Sequence, residues 1–518
     1  MSINAYDYVI IGSGVAGSTL AKELLEADNK TSILMLEAGP VVAMKDRRFW
    51  WDYVVSWKKP YTQCYDREGD NPSTGKTYWD SVGSRMMIQG GSTVHWGGWS
   101  MRFKPEDFAF YSKTGYGGDW PYGYDDLEKF YCRADRYLHV CGHDDGDPWR
   151  SEPYPMPAYP FLEADGEMIE AFEKLDIKPG HMPLARERRC MATGTCKYCP
   201  IGARFSGALV IDQLLADTRF SNFTLMSETP VLRLLNNGKK KEVNGVEYLD
   251  PQTGVPTSVF GERIVVCAGA YEVPKILKLS KSQHWKHGVG NDTDLVGRYP
   301  VSHLFLTATG TKPKNKERWI AEYDFPTLMS RTYDAPKYQE NGKIFMMRTA
   351  STPDTDIARL MAQGKSRSEI DAVLTGPRQM QLSAFMEEFG QHKNYFDVGE
   401  GTTRFGLPRT EIHFDKLGDF DKRAKKNLDR MERVIRTMGY ENVTTAIGTQ
   451  AGHHTCSTAR MGNDEKLGVV DEHLKVFGTN SVYVLSNAVL PNCAAVNPTL
   501  TLVALAFKLS DHLLGRGA

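Results

Sequence analysis

Tyr8-Val9-Ile10-Ile11-Gly12-Ser13-Gly14-Val15-Ala16-Gly17 is the stretch on which the fold turns. A β-branched run enters Gly-x-Gly-x-x-Gly, and the spacing Leu20, Ala21, Leu24, Leu25 behind it predicts a helix. Ser32-Ile33-Leu34-Met35-Leu36 then predicts a second strand, ending in Glu37. Glycines in such a turn let backbone N–H groups approach a pyrophosphate at the helix N-terminus, where the helix dipole favours negative charge. Glu37, twenty residues after Gly17, is placed to accept hydrogen bonds from an adenosine ribose. Strand, glycine turn, helix, strand and acid together predict a Rossmann-like dinucleotide-binding unit. The motif does not separate FAD from NAD.

The rest of the composition bounds what surrounds that unit. At 518 residues the chain is too long for one ordinary core, so two domains, or one with large insertions, are expected. Hydrophobic residues at 41% and charged residues at 25% predict a soluble globular protein. Net charge is −1, and Lys239-Lys240-Lys241 after Asn236-Asn237-Gly238 reads as a solvated hairpin tip, so nucleic acid is not an expected partner. No apolar run approaches the roughly 18–20 residues that span a bilayer. No signal peptide is read at the N-terminus, and by itself the chain reads as cytoplasmic unless another subunit carries it elsewhere. Nine cysteines in no regular framework argue against a disulfide scaffold.

Three further stretches carry chemistry. Gly90-Gly91-Ser92-Thr93-Val94-His95-Trp96-Gly97-Gly98 packs glycine around one His and one Trp, as expected where backbone closely approaches a flat ligand. Cys190, Cys196 and Cys199-Pro200 have the close thiol spacing seen where thiolates converge on an iron–sulfur cluster. Zinc, with His181 as a fourth ligand, and three reduced loop cysteines are the alternatives. Near the C-terminus, His453-His454-Thr455-Cys456-Ser457-Thr458-Ala459-Arg460-Met461-Gly462 is followed by Asn497-Pro498-Thr499, with Pro498 where the first turn of a helix running to Leu514 tolerates it. Read as extended chain, His453 and His454 face opposite ways, so one of them points at a ligand. An imidazole suits a general base near neutral pH, whereas Asn497 can only hydrogen-bond, or else cap the helix.

These stretches, in this order, resemble the glucose–methanol–choline (GMC) oxidoreductases, which are FAD enzymes. The resemblance implies that Gly12, Gly14, Gly17, Glu37, Gly90, Gly91, Ser92, His95, Val231, Ala268, Asn487, Pro498 and Thr499 bind FAD. Val231 would meet the adenine in this arrangement, and the helix after Pro498 would face the flavin pyrimidine. His95 has the position that carries a covalent flavin bond in the pyranose 2-oxidase branch, while related sugar dehydrogenases keep the His without an obvious need for the bond. His454 matches the family's catalytic base and Asn497 its second catalytic position. Cys190, Cys196 and Cys199, followed by Pro200-Ile201-Gly202-Ala203, resemble the insertion that holds a cluster, expected as 3Fe-4S, in catalytic subunits of bacterial FAD sugar dehydrogenases.

The expected fold is α/β: a Rossmann-like FAD-binding domain of the GMC and p-hydroxybenzoate hydroxylase type, with an α+β substrate domain on a mostly antiparallel sheet. Residues 1–110, 200–303 and 446–518 are assigned to the first, 111–189 and 304–445 to the second, and 190–203 to the cysteine-rich insertion. His453, Gln381 and Ser383 are candidate substrate contacts, with Glu387 and Glu388 nearby; plain strand and loop polarity is the alternative for the last four. The resemblance implies oxidation of a sugar or glycoside alcohol at C3 or C1, with electrons leaving through the cluster to a cytochrome c or other acceptor. A dioxygen-dependent oxidase with structural cysteines is the second reading. A small partner subunit exported by the twin-arginine route, and hence a periplasmic or membrane-associated location, is expected, with the cytoplasm as alternative.

Overall fold

The computed structural model describes residues 5–43, 46–56, 58–145, 147, 149–187, 190, 196–236, 238–239, 242–313, 325–352 and 357–516. The tip residues Asn237, Lys240 and Lys241 and the cysteine-loop residues 191–195 lie outside them.

Ala5–Ile11 sits at the centre of a seven-stranded sheet, parallel to Ile33–Leu36 on one side and to Pro256–Val266 on the other. Phe223–Met226 extends it in parallel beyond Ile33–Leu36. Pro256–Val266 is long enough for two partners. Its first half pairs antiparallel with Val243–Leu249, which pairs in turn with Val231–Asn236, and its last three residues run parallel to Val482–Val484. The inner strands are unbroken apolar runs because both faces are covered. Val9, Ile10, Val265 and Val266 are wholly buried, and the helices Val15–Ala27 and Thr499–Leu513 pack against each other.

A second seven-stranded sheet runs in the order Trp79–Asp80, Glu441–Ala451, Leu304–Lys312, Arg378–Met386, Ile344–Thr352, Leu328–Ser330 and Gly180–His181. All its pairings are antiparallel except the first. Period-two alternation assigns its faces. Met380, Leu382, Ala384 and Met386 join the core beneath the helices Phe420–Thr437 and Glu163–Lys174, whereas Phe385 belongs to the core of the first sheet. This is the expected fold class, an α/β Rossmann-like unit against an α+β unit.

Two expectations change. The boundary at residue 446 falls inside the strand Glu441–Ala451, whose pairing with Leu304–Lys312 continues to Gln450, and Trp79–Asp80, expected in the first domain, is an edge strand of the second sheet. Two short helices in the second unit, Ile357–Ala362 and Arg367–Leu374, are separated at Gly364 (φ +76°), the second started by a capping box between Ser366 and Glu369. Gly452–His454 is a 3-10 turn and not extended chain, so the rule that neighbouring side chains diverge does not hold there.

Candidate active site

A cavity of about 660 Å³ lies between the two sheets, within the roughly 300–1,000 Å³ usual for ligand sites. Its far end is the glycine turn. Gly12 has φ +104°, and a Cβ there would meet the Cys267 carbonyl oxygen at 2.6 Å. Gly91 comes as close to Gly14, a Cβ on it lying 3.0 Å from the Gly14 Cα. Glu37 lines the same end and braces the turn: its Oε2 accepts from the Ser13 N–H at 3.0 Å and the Ser13 hydroxyl at 2.6 Å, and its Oε1 from the Gly39 N–H at 2.8 Å. Burial raises its carboxyl above the ordinary range, with those hydrogen bonds opposing.

Gly12, Gly14, Glu37, Gly91, Ser92 and His95 all line the cavity. So do Val231, Ala268, Asn487 and Thr499. Gly17, Gly90 and Pro498 do not. Gly17 packs its Cα against the Gly12 carbonyl, Gly90 packs against Ala208, and Pro498 is the N-cap of Thr499–Leu513. The N-terminal ends of Val15–Ala27 and Thr499–Leu513 both reach the cavity without a side-chain cap, so N–H groups of their first turns are left for a ligand. The Oδ1 atoms of Asn487 and Asn497 are buried and unpartnered. A glycine cradle, two uncapped helix ends and the orphaned acceptor of Asn487 fit a dinucleotide.

At the other end stand three polar rings and an amide. His303 Nε2 lies 3.1 Å from both the Cys493 and Ala494 carbonyl oxygens, so it carries the proton and donates to them. Its Nδ1 is therefore an acceptor, and His454 Nδ1, 2.9 Å away, donates to it. This leaves the lone pair of His454 on Nε2, where the Asn497 Nδ2 donates from 3.0 Å. Burial first, then the neighbouring His303 and His453 rings, push the His454 imidazole well below its usual range, and burial takes His303 down to about 4. Both rings are thus neutral at working pH. Phe385 meets the His454 ring edge to face at 5.0 Å. His453, more exposed than His454, lines the cavity as well.

Gln381 and Ser383 do not reach the cavity. They lie on the same strand face as Phe385, but Gln381 donates to Thr309 Oγ1 (3.2 Å) and accepts from Thr349 Oγ1 (3.1 Å), and Ser383 Oγ lies 2.6 Å from Thr349 Oγ1. Glu387 and Glu388 are likewise spent internally, on Lys343 and Gln339 and on Arg423, and burial raises each to about 7.

The cysteine segment reaches the cavity through Lys197. Lys197, between Cys196 and Tyr198, lines it and donates to the His95 carbonyl at 3.0 Å. Buried Arg186 reaches the Cys190 sulfur at 3.6 Å and also hydrogen-bonds Cys196. Burial would raise the Cys199 thiol, but backbone hydrogen bonds from Arg204, Ile201 and Ala203 outweigh it and hold the thiol below its ordinary value. Arg186 beside two of the sulfurs and backbone amides at the third are hydrogen-bond donors of the kind that surround cluster ligands, which fits a cluster held by these three side chains. His181 is engaged elsewhere, by Asp145 at 2.7 Å. His95 Nδ1 is 2.9 Å from the Tyr65 hydroxyl, leaving Nε2 uncommitted.

A dinucleotide cradle at one end of a cavity and an imidazole lone pair at the other suit a dinucleotide-dependent oxidoreductase. Two family models, both described as GMC oxidoreductase, match residues 6–298 and 392–506. The chain belongs to the GMC oxidoreductase family and is an enzyme of it that binds FAD and acts on alcohol or sugar-type substrates. It is 26% identical to the fructose dehydrogenase large subunit of Gluconobacter japonicus, over 98% of this chain and 97% of that one. It is also 26% identical to a C-glycoside 3-oxidase of Microbacterium trichothecenolyticum, over 98% and 96%. Among solved structures, pyridoxine 4-oxidase from Mesorbium loti shares the fold at a TM-score of 0.65 and 19% identity, over 99% of this chain and all of that one.

Proposed function

We propose that this protein is an FAD-dependent dehydrogenase that oxidises a secondary alcohol of a sugar or glycoside, at C3 or C1, and passes the electrons through an iron–sulfur cluster at Cys190, Cys196 and Cys199. The observation that carries the chemistry is the His303–His454–Asn497 chain, which puts the remaining imidazole lone pair, on His454 Nε2, at the cavity, where the Asn497 amide holds it until a substrate hydroxyl takes its place. FAD, when bound, supplies the hydride acceptor. His454 Nε2 takes the hydroxyl proton, and His303 Nδ1 accepts the hydrogen bond from the imidazolium so formed. Asn497 Nδ2 donates beside the same point, and its unpartnered Oδ1 accepts from a neighbouring hydroxyl, a pairing suited to a polyol. Phe385 closes one side against water.

The electron exit is supported by the hydrogen-bond donors around the three cysteines, Arg186 at Cys190 and Cys196 and backbone amides at Cys199, and by Lys197, which reaches the cavity from the same segment. A 3Fe-4S cluster needs three thiolates, the number on hand. His95, with Nε2 uncommitted, is the atom through which a covalent flavin bond would form. A small partner subunit, a cytochrome c acceptor and a periplasmic or membrane-side location complete this reading; the fructose dehydrogenase relative is itself named as a large subunit. Iron and sulfide analysis after anaerobic purification, together with sugar-dependent flavin bleaching, tests it. Absent iron with peroxide formed from sugar and dioxygen refutes it in favour of a sugar oxidase with structural cysteines, the reading that the C-glycoside 3-oxidase relative favours. Flavin that stays attached after acid precipitation, and is released in His95→Ala, marks the covalent bond.

A further inference from the structure

Outside the cavity, at the far edge of the second sheet, two imidazoles turn toward one carboxylate. His181 closes the strand Gly180–His181, and His143 and Asp145 follow the strand Val140–Gly142. Asp145 Oδ2 is 2.7 Å from the His181 Nδ1 and 3.4 Å from the His143 Nδ1, and the three ligand atoms all lie within 4.8 Å of one another. A tetrahedral ion with ligands at about 2.0–2.2 Å holds them roughly 3.3–3.5 Å apart, so rotation of the exposed His143 side chain closes the set. The surroundings fix the other two ligands in advance. The His181 N–H donates to Asp145 Oδ1 at 3.2 Å, leaving Oδ2 for an ion, and Phe161 stacks on the His181 ring at 3.9 Å. The Asp145 N–H, 3.3 Å from the His143 Nδ1, competes for that nitrogen.

We propose that His143, Asp145 and His181 bind a divalent transition-metal ion of the zinc class, with water in the fourth position. Two imidazoles and one carboxylate suit zinc, nickel or cobalt better than calcium or magnesium. The ion fastens the segment after Val140–Gly142 to the sheet edge. Two residues further on, buried Asp147 bonds Arg331, which follows the neighbouring strand Leu328–Ser330, so the clip extends an anchor already in place. Cobalt(II) added to the untagged full-length flavoprotein is the probe, because thiolate ligation gives strong charge-transfer absorption and imidazole–carboxylate ligation does not. The expected result is one equivalent bound without charge-transfer absorption, at least about tenfold weaker in His143→Ala and in Asp145→Asn, with flavin content unchanged. His143 is exposed, so its variant leaves the core intact. No binding up to about 1 mM, equal binding in wild type and His143→Ala, or binding only with thiolate charge transfer overturns the proposal.

Discussion

Replacing His303 tests whether the base is set by its neighbour or only packed by it. In the wild type His303 does two jobs: Nε2 donates to the Cys493 and Ala494 carbonyls, and Nδ1 accepts from His454. In the proposed reaction His454 takes the substrate proton, and the second bond then becomes charge-assisted, worth about 1.5–3 kcal/mol, which is roughly 10- to 150-fold in rate. It also keeps the ring in the tautomer whose lone pair is on Nε2. The two amide variants separate the jobs. His303→Asn places an Oδ1 near the position of Nδ1 and keeps the acceptor; His303→Gln places an amide nitrogen near the position of Nε2 and keeps only the carbonyl anchors. The assay is anaerobic mixing with substrate, following flavin bleaching at saturation from about pH 4 to 9. His303→Gln is expected to lose roughly 10- to 150-fold in limiting rate with little change in KM, and His303→Asn to retain most of it. A purely structural role predicts the reverse order, because Gln preserves the anchors. If Gln is as fast as wild type, or Asn is slower than Gln, the reasoning is wrong.

His454→Ala should keep its FAD spectrum yet lose flavin reduction by about 10²–10⁴-fold, measured in the same anaerobic mixing. Cys196→Ser should leave flavin reduction intact and slow transfer to a dye or cytochrome acceptor, with iron content reduced. Gly12→Ala, at φ +104° and with the Cys267 carbonyl oxygen 2.6 Å from the new Cβ, should be isolated without FAD, read as the ratio of flavin to protein absorbance. Burial holds His303 neutral with its pKa down at about 4, against 6.5 when exposed, so its contribution to stability is fully present above pH 6.5 and lost as pH falls toward 4. That loss is roughly 3 kcal/mol, and in His303→Asn the fall of melting temperature over that window should be correspondingly shallower.

The sequence was most legible where the chemistry is local. Gly12 and Gly91 are needed by backbone approach within a few residues, and the Rossmann-like unit follows from that turn. His454 and Asn497 are 43 residues apart and were recognisable through the family spacing alone. His303 carried no such signal. It enters the site from the start of a strand, 151 residues from His454, and its role rests on carbonyls contributed by a third segment. Gln381 and Ser383 show the limit of periodicity: alternation put them on the same strand face as Phe385, but which partners they meet depends on cross-strand register, and Thr309 and Thr349 claim their polar groups first. The divergence expected of His453 and His454 failed for a similar reason, since it presumed a backbone conformation that the 3-10 turn replaces.

What fixes the His454 ring, the proposed base, extends beyond its own hydrogen bonds. The carbonyls that orient His303 belong to a turn in which Ala494 has φ +48°, an uncommon backbone conformation for a residue with a Cβ. Asn492 holds that turn: its Oδ1 accepts from the Ala494 N–H at 3.2 Å, and its Nδ2 donates to the Asp107 carbonyl at 2.8 Å. Asp107 is in turn ion-paired with Lys343, on which Asp334 and Glu387 also converge, while Arg331 joins Asp334 to Asp147. Buried charges of this kind contribute little net stability, because desolvation offsets their attraction, but breaking one pair leaves an uncompensated ion. The cluster therefore acts as a positional lock. It ties the entry to Ile344–Thr352 in the second sheet to the segment at Asp107, and through Asn492 it sets where the Cys493 and Ala494 carbonyls point. The orientation of the His454 lone pair is thus referred back to both halves of the fold, which is why a base at the seam between two sheets can be aimed at one point of the cavity.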